Sequence, residues 1–153
     1  RDKLVTGVQT CALPILEQRN LHLQEKYRQV KANEVRYETS GLDDADYMIV
    51  AFGSAARIAE KAIEMAREEG LKVGLFRPIT LWPFPEKPFK KAAEHAKRFI
   101  SVELSMGQMI EDVKLSTEMK VPVTLCNRVG GMIPTPDEVV TAIVNANEGG
   151  KQA

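Results

Sequence analysis

The chain has 153 residues, of which 44% are hydrophobic and 27% are charged, and its formal net charge at pH 7 is zero. This length allows one domain with a hydrophobic core of its own. A charge-balanced chain has no general electrostatic attraction to nucleic acid, and no apolar run approaches the roughly 20 residues of a membrane-spanning helix. We therefore expect neither nucleic acid nor a membrane as a partner.

The first fifteen residues, 1–15, read RDKLVTGVQTCALPI and show no clear helical or strand period. They resemble a translated sequencing adapter, so we expect a non-native segment that takes no part in the fold. A genuine, poorly ordered tail is the alternative. If the segment is an adapter, the natural protein continues upstream of Leu16.

Residues 16–42 are predicted to form a linking helix followed by an extended segment. The apolar residues of the helix recur at spacings of seven, four and three, which places them on one helical face. They are Leu16, Leu23, Tyr27 and Val30. Residues 34–39 alternate in polarity and are predicted to run extended into a turn at Ser40-Gly41.

Residues 43–147 are predicted to form an α/β domain in which strands and helices alternate, followed by a frayed tail at 148–153. Four apolar runs indicate strands, and the first of them, which is continuously apolar, is typical of a strand covered on both faces. They occupy residues 47–52, 72–76, 98–104 and 121–126. The acidic residues just before the first run are interpreted as a solvated entry to that strand rather than a metal site.

A helix is predicted after each of these strands. The first carries a stripe of small residues and ends at Gly70, the second is short with Phe89 inward, and the third covers residues 106–119. The last begins at Thr135-Pro136-Asp137-Glu138, which combines an N-cap, a proline at the first helical position and a glutamate three residues after the cap. Strands joined through helices should be mostly parallel with right-handed crossovers, giving a three-layer α/β/α fold.

Three loops of unusual composition follow predicted strands, at residues 77–85, 103–108 and 127–131. In an open parallel sheet the loops after the strands gather at one edge, where partners and ligands bind. We therefore predict an interaction surface at that edge. Its candidate residues are Arg77, Thr80, Trp82, Pro83, Phe84, Glu103, Gly107, Gln108, Arg128, Gly130 and Gly131.

Two features of these loops each have two interpretations. Glu103 ends an apolar strand, where a carboxylate is costly unless it is paired. It either forms an ion pair with Arg77 or Arg128, or contacts a partner domain or tunes a nearby site. Trp82 and Phe84, which are flanked by prolines, either fold onto their own domain or are buried against another subunit.

No motif for catalysis, a nucleotide or a metal is strong enough to assign a residue. Gly53-Ser54 opens a helix in a way that suits a phosphate, but a tight turn explains it more simply. Cys11 and Cys126 form no Cys-x-x-Cys pair, so a cluster or zinc site built by this chain alone is not expected. Two reduced thiols in a cytoplasmic protein are the expected state, and a disulfide between them is the alternative. His22 and His95 are expected at the surface.

From about residue 23 to residue 143 the chain resembles the C-terminal region of the α subunit of 2-oxoacid:ferredoxin oxidoreductases. The resemblance lies in residues 47–57, in 77–85 with its Trp-Pro-Phe-Pro core, in 103–108 and in 130–138. It is closest to the branched-chain type, which acts on 2-oxoisovalerate. One departure is visible, because Leu104-Ser105 stands where the family pattern has Met-Asn.

The resemblance implies a transketolase C-terminal-like fold within a thiamine diphosphate enzyme. Such an enzyme oxidatively decarboxylates a 2-oxoacid, transfers the acyl group to coenzyme A and passes electrons through iron–sulfur clusters to ferredoxin. Thiamine diphosphate and its Mg²⁺ would lie between pyrimidine- and pyrophosphate-binding domains, neither of which this chain resembles. The resemblance therefore implies a structural and interface domain that is inactive alone and carries no catalytic, cofactor-binding or metal-binding residue.

The partners that the resemblance implies are the N-terminal pyrimidine-type domain of the same subunit, a diphosphate-binding subunit, γ and ferredoxin-like subunits, and ferredoxin. Two alternatives stay open. One is the C-terminal domain of another thiamine enzyme, such as a 2-oxoacid dehydrogenase β subunit or a transketolase. The other is a non-enzymatic α/β module, although the strand ends at Phe52-Gly53 and Glu103-Leu104 do not fit a receiver domain well.

Overall fold

The computed structural model describes residues 2–148 of the chain and the side chains of residues 13–147. The chain divides into two compact units, residues 1–35 and 36–153. The first unit is helix α1, Asp2–Asn33. The sequence predicts this helix only from Leu16 onward. In the structure it begins at Asp2 and includes Pro14. The adapter origin of residues 1–15 stays a prediction.

Within the described residues, the second unit contains one five-stranded sheet in the order β1-β3-β2-β4-β5. Strands β2 to β5 are parallel, and β1 pairs antiparallel with β3. The strands are β1 Tyr37–Ser40, β2 Tyr47–Ala51, β3 Val73–Pro78, β4 Arg98–Glu103 and β5 Val123–Asn127. The mostly parallel α/β sheet predicted from the sequence is confirmed.

Strand β1 was predicted only as an extended segment, and its pairing changes the boundary of β3. Glu38 lies opposite Arg77 and Tyr37 opposite Pro78, so β3 continues two residues beyond the predicted end at Phe76. Arg77 and Pro78, which we assigned to a loop, are therefore strand residues. A proline is tolerated at this point because β2 pairs with β3 only as far as Phe76, so Pro78 has a neighbouring strand on one side only.

Four helices cover the two faces of the sheet within the described residues. They are α2 Gly53–Glu68, α3 Glu86–Ala92, α4 Met109–Ser116 and α5 Pro136–Glu148. Helix α4 is shorter than the predicted 106–119. It starts after Gly107, whose φ is +98°, and ends before Glu118 and Met119, whose φ values are 53° and 54°. No described helix is long and apolar enough to cross a membrane.

The core lies on both faces of the sheet, as expected for strands that are apolar throughout. On one face, alanines of α2 such as Ala59 and Ala62 pack with Ile49 of β2 and Ile143 of α5. On the other face, α3 and α4 cover Met48, Val50 and an aromatic cluster. Phe89 lies at the centre of that cluster, 3.9 Å from Phe76, 5.0 Å from Phe84 and 6.0 Å from Phe99 between ring centroids. The three-layer arrangement is confirmed.

Candidate functional site

The loops that follow β2, β3, β4 and β5 form the carboxyl edge of the sheet, and all four carry exposed large apolar side chains. Isolated exposed apolar residues are common on proteins, but a set of them on adjacent loops indicates an interaction surface. The described residues of this set are Phe52, Ile79, Leu81, Trp82, Leu104, Met106, Val129, Met132 and Ile133. We call this set the apolar edge.

In the loop after β3, one aromatic residue folds onto the domain and the other is exposed. Trp82 is 54% exposed, whereas Phe84 is 9% exposed and stacks on Phe89 in the core. Thr80 closes the loop: its Oγ1 donates a hydrogen bond to the Pro83 carbonyl (3.0 Å) and accepts one from the Arg36 amide (3.0 Å). The Trp82–Pro83 peptide bond is cis. The loop thus presents Trp82 outward on a base anchored by Phe84.

Glu103, at the end of β4, is 1% exposed and makes neither of the predicted ion pairs. Its carboxylate instead faces the start of α4, where three backbone amides donate to it. The Gln108 and Met109 amides donate to Oε2 at 2.8 and 3.1 Å, and the Ile110 amide donates to Oε1 at 2.8 Å. The hydroxyls of Ser101 and Ser105 add two more hydrogen bonds, each of 2.8 Å. The predicted pairing with Arg77 or Arg128 is therefore wrong.

The surroundings of Glu103 explain how an anion is held in the interior without a cation. Gln108 occupies the N-cap of α4 and makes no side-chain cap, so the first amides of the helix need another acceptor. Burial raises the pKa of Glu103, but the hydrogen bonds from Ser101, Ser105, Gln108 and Met109 outweigh it, and its pKa lies below the usual value. The positive end of the helix dipole also favours the carboxylate form.

Two further contacts fix the loop between β4 and α4, residues 104–107. Asn127 of β5 donates from Nδ2 to the Ser105 carbonyl at 2.6 Å. A Cβ on Gly107 would lie 3.1 Å from both Ile110 Cγ2 and Leu125 Cδ2, and φ at Gly107 is +98°, so glycine is required there. Ser105, where the family pattern has asparagine, binds the carboxylate of Glu103.

Both candidate arginines are paired within the chain. Arg77 donates from Nη1 to Glu38 at 3.0 Å across the β1–β3 pair. Arg128 donates from Nε and Nη2 to the Glu138 carboxylate, which also accepts from the Thr135 amide at 3.0 Å. The Arg128 guanidinium, followed by the Thr135 amide, holds the pKa of Glu138 below its usual value. Both arginines therefore already form ion pairs within the chain and are not isolated cations.

The loop after β5 leads into α5 through the predicted capping box. The Glu138 amide donates to Thr135 Oγ1 at 3.3 Å, and the Glu138 carboxylate accepts from the Thr135 amide in return. Gly130 and Gly131 have φ values of +68° and +84° and are exposed, with open space where a Cβ would stand. They provide a left-handed turn before the helix.

The structure thus separates the predicted interface residues into two groups. Trp82, Gln108, Arg128, Gly130 and Gly131 are exposed at the edge. Another group holds the loops from inside and consists of Pro83, Phe84 and Glu103, which are buried, and the half-buried Arg77, Thr80 and Gly107. Sequence reasoning missed the hydrogen-bonding roles of Ser101, Ser105 and Asn127. Ser101 gives no signal because it lies inside an apolar run.

The described residues offer no cluster of side chains that fits a metal ion. Among them, no group of three His, Cys, Asp or Glu side chains could hold a metal ion. Cys126 is a half-buried free thiol whose pKa is raised by burial and by the Glu138 charge. Cys11 lies outside the described side chains, and His22 and His95 are exposed as predicted.

Comparison with protein families gives a match to pyruvate:ferredoxin oxidoreductase core domain II over residues 45–139. The chain is 50% identical over 116 residues to ketoisovalerate oxidoreductase subunit VorB of Methanothermobacter thermautotrophicus, which covers 76% of this chain and 33% of that subunit. It is 36% identical over 102 residues to 2-oxoglutarate synthase subunit KorA of Methanothermobacter marburgensis, covering 67% and 27%. The chain spans about a third of the length of these relatives.

Solved structures with the same fold include 2-oxoglutarate:ferredoxin oxidoreductase from Magnetococcus marinus with 2-oxoglutarate, coenzyme A and succinyl-CoA bound. It superposes with a TM-score of 0.63 at 24% identity, covering 72% of this chain and 19% of that chain. A split-gene transketolase, an inactive β4 tetramer, also gives a TM-score of 0.63, at 21% identity, covering 72% and 41%. At these identities the likeness establishes the fold alone.

Proposed function

Because the chain belongs to the pyruvate:ferredoxin oxidoreductase core domain II family, we propose that it is this domain of a ketoisovalerate-type 2-oxoacid:ferredoxin oxidoreductase subunit. Membership of the family confirms the resemblance read from the sequence motifs. The proposed reaction of the whole enzyme is the oxidation of 2-oxoisovalerate to its acyl-coenzyme A with reduction of ferredoxin. The higher identity to VorB, 50% against 36% for KorA, supports the branched-chain substrate over 2-oxoglutarate.

The role proposed for this domain is to dock, through the apolar edge, onto the part of a VorB-like subunit that the chain does not cover. The observation that carries this role is the concentration of exposed apolar side chains on all four loops of the carboxyl edge. The chain covers 33% of VorB, so the larger part of that subunit provides the proposed docking surface. The pairing of Arg77 with Glu38 and of Arg128 with Glu138 supports an apolar rather than an acidic surface as the occupant.

We propose that the cofactors of the enzyme are held outside this domain. Thiamine diphosphate would supply the carbanion chemistry, and iron–sulfur clusters would carry the electrons. We propose that other domains and subunits bind them: a pyrimidine-type domain, a diphosphate-binding subunit, and γ and ferredoxin-like subunits. What this chain contributes is a rigid support, since its loops are fixed by Thr80, Glu103 and Glu138.

The test is a domain exchange in the Methanothermobacter thermautotrophicus enzyme. The region of VorB that matches this chain is replaced by residues 36–147, and the exchanged subunit is co-expressed with the other subunits of that enzyme. Unaltered VorB is the positive reference. We expect the exchanged enzyme to assemble and to reduce ferredoxin in a reaction that requires 2-oxoisovalerate and coenzyme A.

A variant of this exchange tests whether the apolar edge is the docking surface. The same exchange with Trp82→Ser should leave the domain folded, because Trp82 is 54% exposed, but should weaken assembly. Normal assembly of the Trp82→Ser enzyme would exclude this part of the edge as the docking surface. Failure of the unaltered exchange to assemble, beside an active VorB reference, would contradict the proposed function. Activity with 2-oxoglutarate in place of 2-oxoisovalerate would contradict the branched-chain assignment.

A further inference from the structure

The loop 104–107 carries two exposed apolar side chains in a fixed conformation. Leu104 is 44% exposed and Met106 is 79% exposed, the largest fraction for any large hydrophobic residue among the described side chains. A mobile loop could fold such a residue against the domain. This loop is instead short and tied at both ends, so its apolar residues are held away from the core.

The hydrogen bonds of Glu103 and Asn127 and the conformation of Gly107 determine where Met106 lies. Glu103 joins the end of β4 to the first amides of α4, which closes the loop into a single turn. Asn127 binds the Ser105 carbonyl at 2.6 Å, and its Nδ2 lies 3.8 Å from Met106 Sδ. Gly107 supplies the positive φ that reverses the chain. The position of Met106 is therefore set by hydrogen bonds to the two neighbouring strands.

We propose that Glu103 is a positioning residue whose carboxylate holds Leu104 and Met106 as a preformed apolar projection that inserts into the docking partner. This inference rests on the proposed function, since its partner is the part of a VorB-like subunit that the chain does not cover. The projection is part of the apolar edge, and residues 104–108 carry no charge. A fixed projection binds more tightly than a mobile one because less side-chain and loop entropy is lost on association.

The test is a double-mutant cycle on the complete 153-residue chain. The chain is titrated calorimetrically into the Methanothermobacter thermautotrophicus complex assembled with VorB that lacks the matching 116-residue region. Met106→Ala should weaken binding about tenfold without moving the unfolding midpoint, since the side chain is exposed. Glu103→Gln should also weaken binding about tenfold, through loss of the fixed loop.

The coupling energy between the two substitutions distinguishes a positioning role of Glu103 from a general loss of fold stability. If Glu103 acts through Met106, the double variant should bind about 10- to 20-fold more weakly than the unaltered chain, rather than the roughly 100-fold of independent effects. The control is Ile143→Ala, a fully buried residue of α5 packed on the other face of the sheet. It should destabilise the domain and leave the dissociation constant unchanged at temperatures where it is folded.

Additive losses, or Glu103→Gln binding that matches the Ile143→Ala control, would overturn the positioning role and leave the proposed function standing. Failure of the unaltered chain to bind, when the isolated matching region of VorB does bind, would overturn both. The two failures are therefore distinguished by the behaviour of the unaltered chain.

Discussion

Replacing Glu103 with glutamine tests the account of the buried carboxylate in the isolated domain. The substitution keeps the size of the side chain but removes its charge and turns one acceptor oxygen into an NH₂ donor. Both carboxylate oxygens face amide donors, so neither orientation of the new amide satisfies every contact. With the NH₂ at the Oε1 position, Ser101 can rotate its hydroxyl to accept, but the Ile110 amide loses its acceptor.

The expected loss in the free energy of unfolding is that of the less destabilising orientation, with the NH₂ at the Oε1 position. One buried amide without a partner and a weaker set of remaining hydrogen bonds cost roughly 1.5–3 kcal/mol. Loss of the negative charge at the start of α4 adds about 0.5–1 kcal/mol. We therefore expect Glu103→Gln to lower the free energy of unfolding by about 2–4 kcal/mol at pH 7, which lowers the midpoint temperature by roughly 10 °C.

The pH dependence gives the sharper check. The pKa of Glu103 is lowered in the folded state, so its stabilising contribution is complete above the unfolded pKa and is lost as the pH falls towards the folded pKa. The difference between the parent and Glu103→Gln should narrow as the pH falls from 5 to 3.5. Glu118, whose pKa is lowered to about 2 by Lys120 and Lys90, titrates equally in both proteins and cancels in the difference.

Urea unfolding at several pH values, followed by circular dichroism at 222 nm, measures both quantities. A second readout is the pKa of Asp112 by NMR, which is raised first by burial and then by the Glu103 charge and should fall in the variant. A loss below 0.5 kcal/mol at pH 7, or a difference that does not change between pH 5 and pH 3.5, would refute the proposed role of the carboxylate.

Three other predictions concern packing, backbone and association. Gly107→Ala should lower the free energy of unfolding by about 2–4 kcal/mol, because it combines a φ of +98° with contacts at 3.1 Å. Gly130→Ala should lower it by only about 1 kcal/mol, because the space around that residue is open. Equal losses for the two variants in urea unfolding would contradict this. Phe89→Ala should cost about 3–5 kcal/mol, since the ring is fully buried among three others, and a loss under 2 kcal/mol would show that the cluster collapses into the gap. Binding to the VorB complex should change less than threefold between 0.05 and 0.5 M NaCl, and a steep fall in affinity would reveal charge pairing at the edge.

Strands β2, β3 and β4 could be predicted from the sequence because they are buried on both faces. A continuous apolar run has few alternatives in a domain of this size, and the predicted ends of β2 and β4 differ from the observed ends by one residue. Strand β1 gives no such signal, since all four of its residues, Tyr37–Ser40, are exposed. It forms because the edge of β3 is available for pairing, which is a tertiary effect that local pattern does not encode.

The environment of Glu103 shows what residue types alone could not reveal. The position of a carboxylate at the end of an apolar strand correctly indicated a buried, compensated group. The prediction of arginine as the compensating group was wrong because backbone amides of α4, and not a guanidinium, compensate the charge. One signal was present: Gln108, at the start of the next helix, is a poor N-cap, so those amides required an acceptor from elsewhere.

At two of the helix starts on this edge, the amides that could bind a phosphate are already occupied. In open parallel sheets the helix N-termini at the carboxyl edge offer amides to anionic ligands. Here the first amides of α4 are occupied by Glu103, and α5 begins with the capping box of Thr135 and Glu138. Because the chain satisfies these two helix starts with its own carboxylates, their amides are not available to a ligand. What the loops around them present to the outside is Leu104, Met106 and the other apolar side chains of the edge, which favours an apolar partner surface.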